Sequence, residues 1–167
     1  MLRELHQELG IPDDYGLDGR PVFEEAVDLV DVGPSLVGRM QRLTPKTARK
    51  WAAMVEAAAA DGVTLLMVSG FRGVDYQARL IRKKINAGQS LSEILTVNAA
   101  PGFSEHHTGR AVDVATPGSR PLTEEFEDSD AFRWLTENAA GYGFSMSYPR
   151  DNPFGFVFEP WHWAQKA

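Results

Sequence analysis

The residues best suited to metal chemistry fall in two short stretches of the chain. The first, residues 103–114, contains two of the four histidines and an aspartate, and the second, residues 159–163, adds a glutamate and a histidine. A catalytic zinc ion uses three N or O protein ligands, keeps one position open and needs a nearby base. The stretches supply such a set, with His106, Asp113 and His162 as candidate ligands and Glu159 as candidate base.

The alternation of residue types around Asp113 predicts a strand over residues 111–114. Side chains along a strand alternate between its two faces, so Ala111 and Asp113 share one face while Val112 and Val114 take the other. We therefore expect the valines to pack in the core and Asp113 to point into a cleft or into solvent.

At these residues the chain resembles the VanY-type zinc D-alanyl-D-alanine carboxypeptidases and dipeptidases. Their signature has the form S-x-H-x-x-G-x-A-x-D followed by E-x-W-H, which is found here at residues 104–113 and 159–162. The family's S-G-[YF]-R turn is matched by residues 69–72, and Gln77 matches a glutamine that follows it. The resemblance covers roughly residues 64 to 164, and several spaced motifs in the right order make it specific.

The resemblance implies a Hedgehog/DD-peptidase-like fold, a single α+β domain with a small, mostly antiparallel sheet and helices packed against it. It also implies hydrolysis of a peptide bond next to a D-amino acid in peptidoglycan peptides, with one zinc ion per chain. The residue roles that it implies are metal ligation by His106, Asp113 and His162, proton transfer by Glu159, oxyanion or substrate contact by Arg72, and binding of a terminal carboxylate by Ser104 and Gln77.

Several alternatives stay open at this point. The motifs identify the metal site and not the substrate pocket, so an L,D-carboxypeptidase or an endolysin-like L-alanyl-D-glutamate endopeptidase is possible, as is a non-catalytic zinc-bearing cell-wall binding module. Ser147 and Ala164 stand where relatives often carry arginine, which leaves the substrate's identity open. The role of His107, where relatives often carry glutamine, is also open.

Composition limits the other possibilities. A chain of 167 residues, 43% of them hydrophobic, is long enough for one well-packed domain, which we divide into an N-terminal extension (residues 1–40) and a catalytic domain (residues 41–167). The net charge of −6 disfavours a nucleic-acid partner, and we assign the basic cluster at residues 79–84 to solvent. We expect a monomer.

The remaining segments predict the elements that must position the site. The N-terminus has no apolar run of signal-peptide length, and nowhere do 18 apolar residues follow one another, so the chain as given is expected in the cytoplasm, or outside it if a leader has already been removed. Helices are predicted over residues 2–9, 45–61, 74–87, 90–97 and 130–140, and strands over 63–68, 111–114, 144–148 and 156–158, the last two as a hairpin-like pair.

Overall fold

The computed structural model describes residues 1–166, and its α-helices lie close to the predicted segments. Ser90 accepts a hydrogen bond from the Glu93 N–H at 3.3 Å, as expected for a helix N-cap. Ser129 caps the last helix in the same way, through the Phe132 N–H at 3.1 Å. The helices are α1 (Leu2–Leu9), α2 (Pro45–Ala60), α3 (Val74–Asn86), α4 (Leu91–Val97) and α5 (Asp130–Asn138).

Two antiparallel sheets complete the structure. The smaller pairs β1 (Val30–Pro34) with β2 (Met40–Leu43). The strands of the larger sheet are β3 (Leu66–Ser69), β4 (Ala111–Ala115), β5 (Phe144–Met146) and β6 (His162–Gln165). Their order in the sheet is β3-β4-β6-β5, and all neighbouring strands are antiparallel. The predicted α+β class is confirmed.

One predicted strand, residues 156–158, is wrong. The partner of β5 is β6, which carries His162 itself, and the intervening residues form a loop. The apolar residues of that loop are explained by packing on other side chains instead of pairing in a sheet. The Phe156 ring lies 4.8 Å from the Tyr148 ring, and the Arg150 guanidinium lies 3.9 Å above the Phe158 ring.

The larger sheet separates a core from the candidate site. Val112 and Val114 are fully buried on one face of β4, in a core that also contains residues of α2 and α5 such as Met54 and Leu135. Asp113 projects from the other face, as the alternation predicted. A second apolar cluster joins α1, α3 and α4, so the N-terminal helix packs against the rest of the chain.

The N-terminal segment is attached to the rest at several points. The strand pair β1–β2 spans the predicted boundary at residue 40, so the division into 1–40 and 41–167 cuts through a hairpin and stays a proposal. Arg20 lies 4.2 Å over the Tyr15 ring and donates a 3.1 Å hydrogen bond to the Phe154 carbonyl, which links this segment to the loop before Glu159. No helix within residues 1–166 is long and apolar enough to cross a membrane.

Candidate metal centre

Strand register brings two of the predicted ligands together. In the antiparallel pairing of β4 with β6, Asp113 lies directly opposite His162. Ser69 of β3 lies opposite Asp113 on its other side, after a bulge that shifts the register between Met67 and Ser69. Bulges re-aim the chain that follows them, which here is the turn containing Arg72.

The third ligand comes from a short turn that precedes β4. The hydroxyl of Ser104 accepts a 3.3 Å hydrogen bond from the His106 N–H and caps a 3-10 turn over Glu105–Thr108. Gly109 ends this turn in the left-handed conformation with φ 64°, and a Cβ atom there would lie 2.8 Å from a methyl carbon of Leu29. This glycine therefore permits the sharp passage from the turn into β4.

The three predicted ligands converge in a buried cluster. Their candidate ligand atoms all lie within 4.8 Å of one another. The Oδ1 atom of Asp113 is 3.2 Å from Nε2 of His106 and 3.1 Å from Nδ1 of His162. Tetrahedral zinc with bonds of about 2.0–2.2 Å spaces its ligands by roughly 3.3–3.6 Å, and the two contacts of Asp113 lie close to that range. These residues fit a divalent metal.

A backbone contact sets the orientation of His106. Its Nδ1 donates to the Gly70 carbonyl at 2.7 Å, which leaves Nε2 to face Asp113. Gly70 is required there, because a Cβ atom would lie 2.8 Å from the backbone oxygen of Arg42. The S-G-F-R turn therefore supports the metal site as well as supplying Arg72.

The electrostatics of the cluster favour a positive charge. Burial lowers the pKa of His106 to about 4. Burial also opposes protonation of His162, but a hydrogen bond to Asp113 and the negative charges of Asp113 and Glu105 outweigh it and raise the pKa of His162 to about 10. Burial alone would raise the pKa of Asp113, yet the two imidazoles hold it well below its usual range. The carboxylates therefore attract positive charge, which a proton or a divalent ion can supply.

Glu159 lies beside this cluster but is not one of its converging ligands. It is 5% exposed and lines a cleft of about 570 Å³ that His106, Asp113 and His162 also line. Burial raises the pKa of Glu159 to about 8, and the charges of Asp113 and Glu105 act in the same direction. A carboxyl group tuned toward neutral pH is suited to general acid and base catalysis.

Arg72 reaches the site from the turn after β3. Its Nη1 donates to Ser69 Oγ at 2.9 Å and pairs with Asp113 Oδ2 at 3.4 Å, while its Nε donates to Gln77 Oε1 at 3.1 Å. Gln77 is fully buried, and its amide nitrogen donates a 2.9 Å hydrogen bond to the Ala99 carbonyl. Gln77 therefore orients Arg72 through a hydrogen bond. Direct substrate binding by Gln77 and Ser104 stays a prediction.

Comparisons with known proteins agree with this geometry. The sequence profile of the family described as VanY: D-alanyl-D-alanine carboxypeptidase matches residues 40–165. This chain belongs to the VanY family.

Similar proteins include a curated D-alanyl-D-alanine carboxypeptidase of Enterococcus faecalis, 34% identical over 120 residues, which are 66% of this chain and 43% of that protein. Among solved structures, the LD-carboxypeptidase LdcB superposes with a TM-score of 0.73 at 31% identity, over 87% of this chain and 71% of LdcB. A mutant of the vancomycin resistance D,D-pentapeptidase VanY in complex with Zn(II) superposes with a TM-score of 0.65 at 28% identity, over 87% of this chain and 82% of VanY. These neighbours confirm the predicted fold. The VanY-family chain spans less than half the length of the E. faecalis relative.

The structure of this VanY-family chain also shows a residue that the sequence analysis missed. Glu105 is largely buried, and its Oε2 lies 3.6 Å from Nε2 of His162, a buried atom with no hydrogen-bond partner within residues 1–166. Ser147, noted above as a departure from relatives, donates to the same Oε2 at 2.9 Å. The position of Glu105 directly before a ligand was the available signal, but only the fold turns it toward the other histidine.

The structure also gives His107 a clear role. Its Nδ1 donates to the Arg72 carbonyl at 2.6 Å, and its Nε2 accepts a 3.0 Å hydrogen bond from the Gly102 N–H. It is fully buried, which lowers its pKa, and it lies outside the metal cluster. In this VanY-family chain His107 is therefore a neutral structural link between the motif loop and the Arg72 turn.

One expectation about charge is wrong. The sequence predicts a solvent-exposed basic cluster at residues 79–84, and Arg79, Arg82 and Lys83 are indeed exposed. Lys84 is instead half-buried and lines the same cleft as Glu159. Helical spacing explains the difference, because Lys84 lies one turn beyond Leu80, which also faces the cleft.

Proposed function

We propose that this chain is a monomeric zinc-dependent D,D-carboxypeptidase that removes the terminal D-amino acid from peptidoglycan peptides. The observation that carries the proposal is the convergence of His106, Asp113 and His162 beside the buried carboxyl group of Glu159. Membership of the VanY family and the Zn(II) complex of a family structure support the choice of metal and reaction.

Zinc would be held by Nε2 of His106, a carboxylate oxygen of Asp113 and Nδ1 of His162. When bound, it supplies Lewis-acid polarisation of a water molecule and of the scissile carbonyl group. Two neutral imidazoles and one carboxylate leave the centre with a net charge of about +1, which that chemistry needs.

The protein's own groups then move the proton and balance the charge. Glu159 takes a proton from the water molecule while the oxygen of that water bonds to the carbonyl carbon. The same carboxyl group gives that proton to the leaving nitrogen as the C–N bond breaks, which yields an amine and a carboxylate. Arg72, held by Ser69 and Gln77, offers a fixed positive charge to the developing oxyanion.

Product analysis tests this assignment directly. The zinc-loaded protein is incubated with defined muropeptides, and the products are identified by mass spectrometry. We expect a pentapeptide ending in D-Ala-D-Ala to lose one D-alanine, with little cleavage of tetrapeptides or of internal bonds. Exclusive cleavage within the peptide would establish an endopeptidase, and the absence of any cleavage by zinc-loaded protein would favour the non-catalytic binding module.

An L,D-carboxypeptidase is the second candidate. The structural similarity to LdcB, an LD-carboxypeptidase, favours it. In the same experiment it would remove D-alanine from a tetrapeptide ending in an L,D bond and leave the D-Ala-D-Ala pentapeptide intact.

Glu105 should matter for zinc affinity. Its carboxylate faces the nitrogen of His162 that does not point at the other ligands, and a partner of this kind orients a metal-bound imidazole and raises its basicity. We expect Glu105→Gln to weaken zinc binding by about 10- to 100-fold, the usual effect of removing such a partner. Competition with a chromophoric chelator measures the affinity.

The matched control is Glu137→Gln, which makes the same chemical change at an exposed position on α5. An unchanged zinc affinity in Glu105→Gln, equal to that of the control, would show that His162 needs no support from Glu105.

A further inference from the structure

A second cationic side chain faces the cleft, at some distance along α3 from the Arg72 turn. Tyr76, Leu80 and Lys84 all line the cleft and follow one another at intervals of four residues, so they share one face of the helix. Lys84 is half-buried, unlike Lys83 beside it. Its ammonium group therefore belongs to the wall of the cleft and not to the outer surface of α3.

A neutral side chain contacts the ammonium group of Lys84. Its Nζ donates to the side-chain oxygen of Asn98, a neutral partner at the end of α4 that also lines the cleft. Within residues 1–166, no carboxylate pairs with this ammonium at 4.0 Å or less. A partly desolvated cation is costly unless an anion compensates it, so a bound anion would find a strong partner here.

The other cations of the cleft are less suited to bind a substrate carboxylate. Arg72 already uses Nε and Nη1 for Gln77, Ser69 and Asp113, and the proposed reaction assigns its charge to the oxyanion. Arg39 and Arg42 are exposed. Water screens exposed charges strongly, so they contribute little to selective binding.

We propose that Lys84 and Asn98 form a carboxylate-binding subsite of this cleft, distinct from Arg72. The inference rests on the proposed function in one respect, that a peptide substrate occupies the cleft. The carboxylate is either the free C-terminus of the peptide or an acidic side chain further along it. Burial lowers the pKa of Lys84, and the positive charge of Arg72 lowers it further, while the negative charge of Glu159 raises it. Lys84 therefore interacts electrostatically with the other charged groups of the cleft.

Peptide binding to zinc-loaded protein tests the subsite. Calorimetry in a Glu159→Gln background measures binding without turnover, and two pairs of peptides are compared. The first pair ends in D-Ala-D-Ala with a free carboxylate or a C-terminal amide. The second pair, blocked as C-terminal amides, carries an acidic side chain before D-Ala-D-Ala or the corresponding carboxamide.

We expect Lys84→Met to weaken binding of the carboxylate member of one pair by roughly 10-fold or more, the effect of losing one charge-assisted hydrogen bond. Binding of the amide members should hardly change. Lys83→Met is the matched control, with the same change at the neighbouring exposed position, and should bind all peptides like the parent protein. Lys84→Gln, which retains a polar side chain, provides a second test if the methionine variant folds poorly.

The outcomes separate the two carboxylate sources and the two proposals. A loss confined to the first pair identifies the C-terminal carboxylate, and a loss confined to the second identifies a side-chain carboxylate. Equal binding by the Lys84 and Lys83 variants, or no binding of any peptide by the parent, overturns the subsite. A third outcome is that binding is selective for the carboxylate and depends on Lys84, but the protein with Glu159 intact cleaves none of the peptides. That result would contradict the proposed function and support the subsite.

Discussion

Replacing Glu159 by alanine is expected to leave zinc content near one ion per chain while lowering kcat by about 10²-fold or more, the usual contribution of a general acid and base. The reason is positional. Glu159 lies in the cleft beside the ligands but outside the group of converging ligand atoms, and burial raises its pKa to about 8. A cation in the site would lower that pKa by attraction, which keeps the carboxylate ready to accept a proton. Metal analysis and steady-state kinetics on the same sample check both halves.

The contrasting variant is His162→Ala, which should lose zinc and activity together because it removes one of three ligands. Glu159→Gln separates charge from shape, since the amide keeps the size of the side chain but cannot take the proton. If Glu159→Ala lost its zinc as readily as His162→Ala, Glu159 would be a metal ligand, and the role proposed for it would be wrong.

Removing the guanidinium of Arg72 should have the second-largest effect. We expect Arg72→Ala to reduce kcat/KM by about 10²-fold or more, the magnitude reported by mutation of single oxyanion-stabilising donors. Arg72→Lys should recover only part of the loss. One ammonium cannot reproduce the planar fork that contacts Ser69, Gln77 and Asp113 together.

The assay for Arg72 needs zinc in excess, because Arg72 also pairs with the second oxygen of Asp113 at 3.4 Å. Arg49→Ala, at an exposed position of α2, serves as the control for loss of a positive charge. Full activity in Arg72→Ala at saturating zinc would remove Arg72 from the reaction and leave it a role in orienting Asp113 only.

Prediction from the sequence succeeded where residue identity and spacing carry the information. His106, Asp113 and His162, predicted as ligands from spaced motifs, do converge in the structure, and the alternation around Asp113 identifies which face of its strand is polar. Helix positions followed from capping residues and apolar spacing, because these are local properties of the chain. Residues 156–158 form a loop and not the predicted strand, since aromatic residues that pack on neighbouring side chains have the same local pattern as a short strand.

Non-local geometry decided the remaining features. The pairing of Asp113 opposite His162 depends on the register of β4 and β6, whose residues lie far apart in the chain. Lys84 carries no motif that separates it from an ordinary surface charge, and the place of Glu105 before His106 does not indicate that it faces His162. Folding alone turns Glu105 toward His162 and places Lys84 in the wall of the cleft. The chain's local pattern therefore determines which groups can bind a metal. The packing of distant segments determines which other charged groups lie near the metal site, because electrostatic interactions depend on distance in space and not on separation along the chain.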